Sequence, residues 1–355
     1  MNKFNILINF VVFLMLDIFV GTLYGRLRLP NPVTDMGEKS EKAFRCREKD
    51  FHHGLRPNVD GQAYWNQRYR LSTDNFGFKS EPGRRLILHA AGRRTVFLGD
   101  SFTEGIGVSY PHSFVGLFDS AYPHQEVVNM GVASYSPKLY KEKLRHFRSR
   151  GFEYDRLILC LDISDIQDEI VYHGMRARVD PRERPLFRFI EWATWHSLFA
   201  LFFHRLTRHT DIYHQMVGNP GKYSEERPKW PDDVSIFNEW GRMGLTLAAA
   251  NLDTIIEMQR TDGREMVMVV YPWPEQIRAG SFKNRQTDFW QAYCKRKKVT
   301  FINLFDAFER ECQRIGTKKL LSDYFISGDV HWNKRGHSFV FSVLDSALQS
   351  QKVGL

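Results

Sequence analysis

The chain has 355 residues, of which 43% are hydrophobic and 14% aromatic, and this composition excludes an intrinsically disordered protein. The net charge is +9, but the basic residues are scattered and no nucleic-acid-binding motif is present, so we expect no nucleic-acid partner. The four cysteines form no C-x-x-C pair, and we expect neither a metal nor an organic cofactor.

The first predicted element is an apolar stretch at the amino terminus. Residues 6–24 read ILINFVVFLMLDIFVGTLY, close to the roughly 20 residues that cross a bilayer as a helix. A cleaved signal peptide is the alternative, but no small-x-small cleavage site follows the stretch. We therefore expect residues 1–25 to form an uncleaved, single-pass membrane anchor. Arg26 and Arg28 follow the stretch and leave its orientation open.

Residues 26–90 follow the anchor and show no strong periodicity. They mix turn-forming residues with aromatic ones, as in HHGLRPN and RLSTDNFGF. This pattern predicts an extended collar that leads from the membrane into a folded domain at residues 91–350.

Five short apolar runs in the remaining chain lack the polar alternation of half-exposed strands, which favours strands buried on both faces. Helical patterns fall between them, and alternating strands and helices predict a doubly wound parallel sheet in a three-layer α/β/α sandwich. The runs are VFL before Gly99, then residues 125–131, 156–164, 265–274 and 299–305.

A long insertion is predicted at about residues 170–244, between the third and fourth strands. Its segment 185–208 is rich in aromatic and basic residues and predicts a helix. The simpler interpretation is a helix that covers a core. The alternative is a helix that lies on the membrane or against a membrane-protein partner.

The sequence VFLGDSFTEGIGV places Ser101 just after the first strand, at the carboxyl edge of the sheet, where ligands bind in such folds. A serine nucleophile needs a base and a group that orients the base. Near the carboxyl terminus, SGDVHWNKRGH contains Asp329 and His331, which project to the same side of an extended segment. We therefore predict that Asp329 orients His331 and that His331 faces Ser101.

Acyl transfer also needs hydrogen-bond donors for a developing oxyanion. Gly131 follows the second strand and Ser164 the third, so a backbone N–H and a hydroxyl are available at the same edge. Trp273, after the fourth strand, is a candidate wall of the substrate pocket, and packing is an equal alternative.

These blocks resemble the SGNH (GDSL-like) hydrolases and acyltransferases, especially their membrane-anchored members. The most specific parts are LGDSFTEG and GDVHWNKRGH, and the resemblance covers residues 95–337. It implies a flavodoxin-like fold, with Ser101 as nucleophile, His331 as general base and Asp329 as its orienting acid. By the same resemblance, the N–H groups of Ser101 and Gly131 would build the oxyanion hole.

Two departures from the family pattern matter. Asp162 and Ser164 stand where the family has glycine and asparagine, and a hydroxyl is a shorter donor than an amide. One residue, rather than the commoner two, separates the acid from the base, and Asp323 is therefore kept as an alternative acid.

The sequence thus predicts a membrane-anchored serine esterase or O-acyltransferase, acting through an acyl-serine on an ester of an envelope glycan or lipid. Its domain would lie outside the cytoplasm, in the periplasm. The alternative is an inactive protein of the same fold that serves as a docking subunit for a membrane partner, which the altered third block motivates.

Overall fold

A computed structural model describes residues 3–27, 43–173, 192–193, 196–200, 202 and 226–350. The chain divides into two compact units. One comprises Met1–Asp35 with Gly174–Glu225, and the other comprises Met36–His173 with Glu226–Leu355.

The first unit contains helix α1, Lys3–Leu27. Within the described part of the chain, no helix combines the length and the apolar character that a bilayer span requires. Most of the predicted aromatic helix, 185–208, lies outside the described residues. In the described part of this segment, the Phe199 N–H donates to the Asp17 carboxylate of α1 over 3.1 Å.

The second unit begins with two antiparallel hairpins, which corrects the prediction of an extended collar. Strands β1 (Arg45–Glu48) and β2 (His52–Leu55) form the first hairpin, and β3 (Asp60–Trp65) and β4 (Gln67–Ser72) form the second. The second hairpin folds because alternate residues of AYWNQRYRL face a small apolar core. The buried members of that core are Phe44, Ala63, Tyr69 and Leu71.

The five apolar runs all form strands of one parallel sheet, as predicted. The strand order is β6-β5-β7-β8-β9, the flavodoxin-like order in which the chain turns back once. The middle strand β7 is buried along its whole length, which explains its lack of polar alternation. The strands are β5 (Arg94–Leu98), β6 (Glu126–Asn129), β7 (Arg156–Leu161), β8 (Glu265–Val270) and β9 (Thr300–Asn303).

Helices connect these strands. Because parallel crossovers are right-handed, the reversal after β6 places the helix before β6 and the helix after it on opposite faces of the sheet. The helices are α2 (Ser101–Glu104), α3 (Phe114–Ala121), α4 (Pro137–Ser149), α5 (Asp165–His173), α6 (Arg242–Thr261), α7 (Pro274–Ala279), α8 (Arg285–Lys297), α9 (Phe305–Ile315), α10 (Thr317–Tyr324) and α11 (Lys334–Ser350).

The end of the predicted insertion belongs to this second unit. Residues 226–241 lead into α6, and Trp230 is fully buried there, with its indole N–H donating to the Ile163 carbonyl over 3.0 Å. This part of the aromatic insertion therefore packs against the loop that follows β7.

Candidate active site

Ser101 is the first residue of the short helix α2, directly after β5. The Asp100 side chain caps this helix by accepting the Phe102 N–H over 3.0 Å, and the Tyr271 hydroxyl donates to the same Asp100 oxygen over 3.1 Å. Gly105 ends the helix with φ 75°, a left-handed conformation that glycine adopts without strain. The turn therefore presents the Ser101 hydroxyl at the carboxyl edge of the sheet.

The structure brings Ser101, His331 and Asp329 together in one hydrogen-bonded chain. His331 Nε2 lies 2.7 Å from Ser101 Oγ, and His331 Nδ1 lies 2.5 Å from Asp329 Oδ1. Two further donors reach the other carboxylate oxygen of Asp329: the Trp65 indole N–H over 2.8 Å and the Asn66 amide over 3.0 Å. The sequence reasoning missed Trp65 and Asn66, because nothing in a collar without clear periodicity indicated that it folds back onto the site.

The protonation states in this chain follow from the partners. Burial raises the pKa of Asp329, but hydrogen bonds from the His331 side chain and backbone and from the Trp65 N–H outweigh burial, so the net pKa is lowered. An ionised carboxylate only accepts hydrogen bonds, so His331 carries its proton on Nδ1. His331 Nε2 is then the acceptor, and the Ser101 hydroxyl donates to it.

Two of the predicted oxyanion donors, Gly131 and Ser164, bond to protein acceptors in the structure, and their role in an oxyanion hole stays a prediction. The Gly131 N–H donates to Asn129 Oδ1 over 3.0 Å. The Ser164 hydroxyl donates to Asp162 Oδ1 over 2.7 Å, because Asp162 places a carboxylate two residues away. Of the three predicted donors, only the Ser101 N–H lacks an acceptor among the described residues.

The remaining predicted site residues have other contacts. The Trp273 indole N–H donates to Asp162 Oδ2 over 2.6 Å, and the side chain is only 9% exposed. Its contact with substrate stays a prediction. Asp323 pairs with Lys319 and Arg335, each at 3.0 Å, rather than with His331. Asp329 is therefore the acid that reaches the histidine.

Three carboxylates lie together beneath the nucleophile. Single oxygens of Asp100, Asp162 and Asp165 are within 4.8 Å of one another, close enough in principle to bind a cation. Each carboxylate already accepts protein donors, which include the Tyr271 hydroxyl, the Trp273 N–H and the Tyr140 hydroxyl. The pKa values of Asp100 and Asp165 both lie well above their usual range. Burial is the main cause, and the charge of Asp162 is the second. Protein donors therefore bond to all three carboxylates, and the raised pKa values favour protons on Asp100 and Asp165.

The raised pKa values of Asp100 and Asp165 predict a pH dependence of stability. Above about pH 4 the unfolded chain loses these protons while the folded chain keeps them, so the free energy of unfolding falls as pH rises toward the folded pKa values. Asp162→Asn removes the second cause, the Asp162 charge, and leaves burial in place, so we expect it to lower both folded pKa values and to flatten this pH slope in part.

Urea denaturation at several pH values between 4 and 8 measures the slope. The slope is compared rather than the absolute stability, because an asparagine also disturbs the bond to Trp273. Asp288→Asn, at an exposed position, is the control and should keep the wild-type slope. Equal slopes in the wild type and Asp162→Asn would contradict the prediction.

The floor of the site also contains buried charges. Burial raises the pKa of Glu104, but the Arg45 guanidinium 2.9 Å away and the Lys79 charge outweigh it and lower the net value. Lys79 donates to the carbonyls of Gly105 and Val108, each over 2.6 Å, and burial lowers its pKa to about 7. Arg45 and Lys79 belong to the collar, so the collar is an integral support of the turn that carries Ser101.

A groove of about 510 Å³ runs beside the hairpin formed by β3 and β4. Three of its side chains are cationic, and Arg335 is paired with Asp323. The lining residues are Gln67, Arg68, Tyr69, Gly107, Ser109, Asn333, Lys334 and Arg335.

Comparisons with known proteins gave structural matches only. No protein-family model matches the chain, and no curated protein matches it. Solved structures do. The matched structures include lipolytic and esterase proteins. A member of the lipolytic G-D-S-L family from Veillonella parvula is 14% identical, with 74% of this chain and 100% of that chain covered and a TM-score of 0.43.

Two esterases are similar at the same level. An acetylxylan esterase from Geobacillus stearothermophilus is 13% identical, with 74% of this chain and 96% of that chain covered and a TM-score of 0.42. A psychrotrophic esterase from Pseudoalteromonas sp., in a form inhibited by monoethylphosphonate, is 11% identical, with 74% and 100% covered and a TM-score of 0.41. These values are too low to assign a function, which must rest on the geometry of the site.

Proposed function

We propose that this protein is a serine esterase or O-acyltransferase that works through an acyl-serine intermediate. The observation that carries the proposal is the hydrogen-bonded chain from Ser101 through His331 to Asp329, with distances of 2.7 and 2.5 Å. A serine hydroxyl becomes a nucleophile when a neutral imidazole accepts its proton and a carboxylate stabilises the resulting imidazolium.

The reaction proceeds in two steps. Ser101 Oγ attacks the carbonyl carbon of an ester while its proton moves to His331 Nε2, and the Ser101 N–H donates to the oxyanion that forms. The bond to the leaving oxygen then breaks, and His331 returns the proton to that oxygen. Water, or a sugar hydroxyl, attacks the acyl-serine with the same proton transfers in the second step, which gives hydrolysis or transfer.

The proposed substrate is an ester on an envelope glycan or lipid, and no cofactor takes part. The cationic groove beside the β3–β4 hairpin supports a negatively charged substrate, because Arg68 and Lys334 line it beside the loop that follows Ser101.

Attachment to the membrane through α1, with the catalytic domain outside the cytoplasm, is part of the proposal. Its support is the run of apolar α1 side chains that are 40% or more exposed, among them Phe13, Met15 and Phe19. Alkaline extraction of membranes from expressing cells tests the attachment: release of the protein into the soluble fraction would contradict it. Protease accessibility in intact cells tests the side of the membrane.

A second candidate function is a catalytically weak docking subunit, with the segment 185–208 as the surface for a membrane-protein partner. The observation that favours it is the engagement of Gly131 and Ser164 with Asn129 and Asp162, which leaves the oxyanion with fewer free donors. Removing a single oxyanion donor typically costs about 100- to 1,000-fold in rate, so slow turnover is the expected signature.

A fluorophosphonate probe tests the proposed function directly. The purified full chain in detergent should form a covalent adduct on the Ser101 peptide and should hydrolyse short 4-nitrophenyl esters. His331→Ala should slow adduct formation by about 1,000-fold or more, because the hydroxyl loses its base. Absence of both the adduct and hydrolysis for every short acyl ester would overturn the proposal and support the docking subunit.

A further inference from the structure

The tip of the β3–β4 hairpin reaches the acid of the proposed catalytic chain. Trp65 ends β3 and pairs with Gln67, so that Asn66 alone makes the turn, with φ 49°. Asparagine tolerates this left-handed conformation better than most residues, and here it points its amide at Asp329. The contact joins positions 263 residues apart in the chain.

The two carboxylate oxygens of Asp329 accept hydrogen bonds from different donors. Among the described residues, Oδ1 accepts from His331, through the ring Nδ1 at 2.5 Å and the backbone N–H at 2.9 Å. Within the described part of the chain, the donors to Oδ2 come from the hairpin: Trp65 at 2.8 Å and Asn66 at 3.0 Å. A rotation of the carboxylate about its Cβ–Cγ bond would therefore break bonds at both oxygens.

Trp65 also contacts the base itself. Its ring packs edge-on against the His331 ring, with centroids 5.6 Å apart and an interplanar angle of 88°. The hairpin is held in place by Gln67, whose side chain donates to the Gly107 carbonyl over 2.7 Å. The hairpin is thus fastened to the turn that follows the nucleophile and, separately, to the acid.

We propose that Trp65 and Asn66 are positioning residues for catalysis: they fix the rotamer of Asp329 and, through it, the tilt and tautomer of His331. This inference rests on the proposed esterase function. Asn66 is exposed, so its amide adds little to the core, and its bond to Asp329 is the contact that explains its orientation. Hydrogen bonds to charged groups are stronger than neutral ones, so two of them on one oxygen restrain the carboxylate effectively.

Three variants test the proposal. Trp65→Phe keeps an aromatic ring and removes the N–H, and Asn66→Gly keeps a residue suited to positive φ and removes the amide. We expect each to lower kcat by roughly tenfold with KM within twofold of the wild type, since ground-state binding does not use these groups. Asn66→Asp should be slower than Asn66→Gly, because it brings a second carboxylate to Asp329.

Arg70→Gln is the matched control. Arg70 pairs with Asp60 across the same hairpin, at 2.7 Å, and is not among the groups bonded to Asp329. It should keep the wild-type kcat. If Arg70→Gln lowers kcat as much as Trp65→Phe does, the hairpin acts through its general stability and the proposal is wrong.

A readout independent of turnover separates this inference from the proposed function. The proton between His331 Nδ1 and Asp329 should give a far-downfield NMR resonance in the wild type and in Arg70→Gln. In Trp65→Phe and Asn66→Gly the resonance should broaden through faster exchange with water. If the wild type shows the resonance but no esterase activity, the proposed function is wrong and the positioning role is not contradicted. If both hairpin variants keep the resonance unchanged and a kcat within twofold of the wild type, the positioning role is wrong.

Discussion

Replacing Ser101 with alanine is expected to abolish esterase activity, with kcat lower by about 10⁴- to 10⁶-fold and no phosphonate adduct. The reason is chemical rather than structural. The hydroxyl oxygen is the atom that would bond the acyl carbon, and its removal leaves His331 without a proton to accept. Residual rate enhancement would come only from binding and from the Ser101 backbone N–H.

The fold should survive this change, because the hydroxyl does not cap a helix or fill the core. The hydroxyl donates to His331 Nε2 over 2.7 Å, and its oxygen lies 3.3 Å from Asp100 Oδ2. Thermal unfolding of Ser101→Ala should match that of the wild type. Ser322→Ala, on the exposed face of α10, is the control for activity. Unaltered hydrolysis in Ser101→Ala would remove Ser101 from the mechanism.

Replacing Gly131 with alanine is expected to damage both stability and activity. An added Cβ would lie 2.5 Å from the Glu104 nitrogen and 2.7 Å from the Thr103 carbonyl carbon, both in the backbone of α2. Backbone cannot rotate away as a side chain can, so α2 or the loop must shift. We expect a loss of about 1–3 kcal/mol in the free energy of unfolding, as for other overpacked cores.

The activity loss follows from where α2 lies. A displacement of about 1 Å in the nucleophile can cost roughly 100-fold in rate, so we expect at least that loss in kcat/KM. Gly92→Ala is the control, since an added Cβ at this exposed position meets no atom within 4 Å. Urea denaturation and ester hydrolysis measure the two effects. A Gly131→Ala protein as stable and active as the wild type would show that the loop yields freely.

The sequence predicted the fold best where the prediction depends on patterns among neighbouring residues. Each apolar run predicted a buried strand, and the strand and helix alternation predicted the parallel sheet, because both follow from periodicity and connection length. The meeting of Ser101 with His331 was predicted from the spacing of Asp329 and His331 and from the family resemblance, because His331 lies in the last loop rather than at the end of a strand.

The hydrogen bonds of the site depend on which acceptor lies nearest to each donor in space. The spacing of residues along the sequence does not determine that acceptor. Gly131 follows its strand as expected, yet its N–H bonds to Asn129 two residues earlier. Ser164 follows the third strand as predicted, yet its hydroxyl donates to the carboxylate of Asp162, two residues earlier. The hairpin tip was missed because its target, Asp329, is almost the full length of the domain away.

The acid and the base lie far from the nucleophile along the chain, so they are synthesised much later than Ser101. During synthesis the hairpin and the nucleophile leave the ribosome first, and the acid and base are translated 228 and 230 residues after the serine. A nascent chain can therefore build most of the sheet while its serine is still chemically inert. Reactivity at Ser101 would then appear only after the segment that carries Asp329 and His331 has been translated.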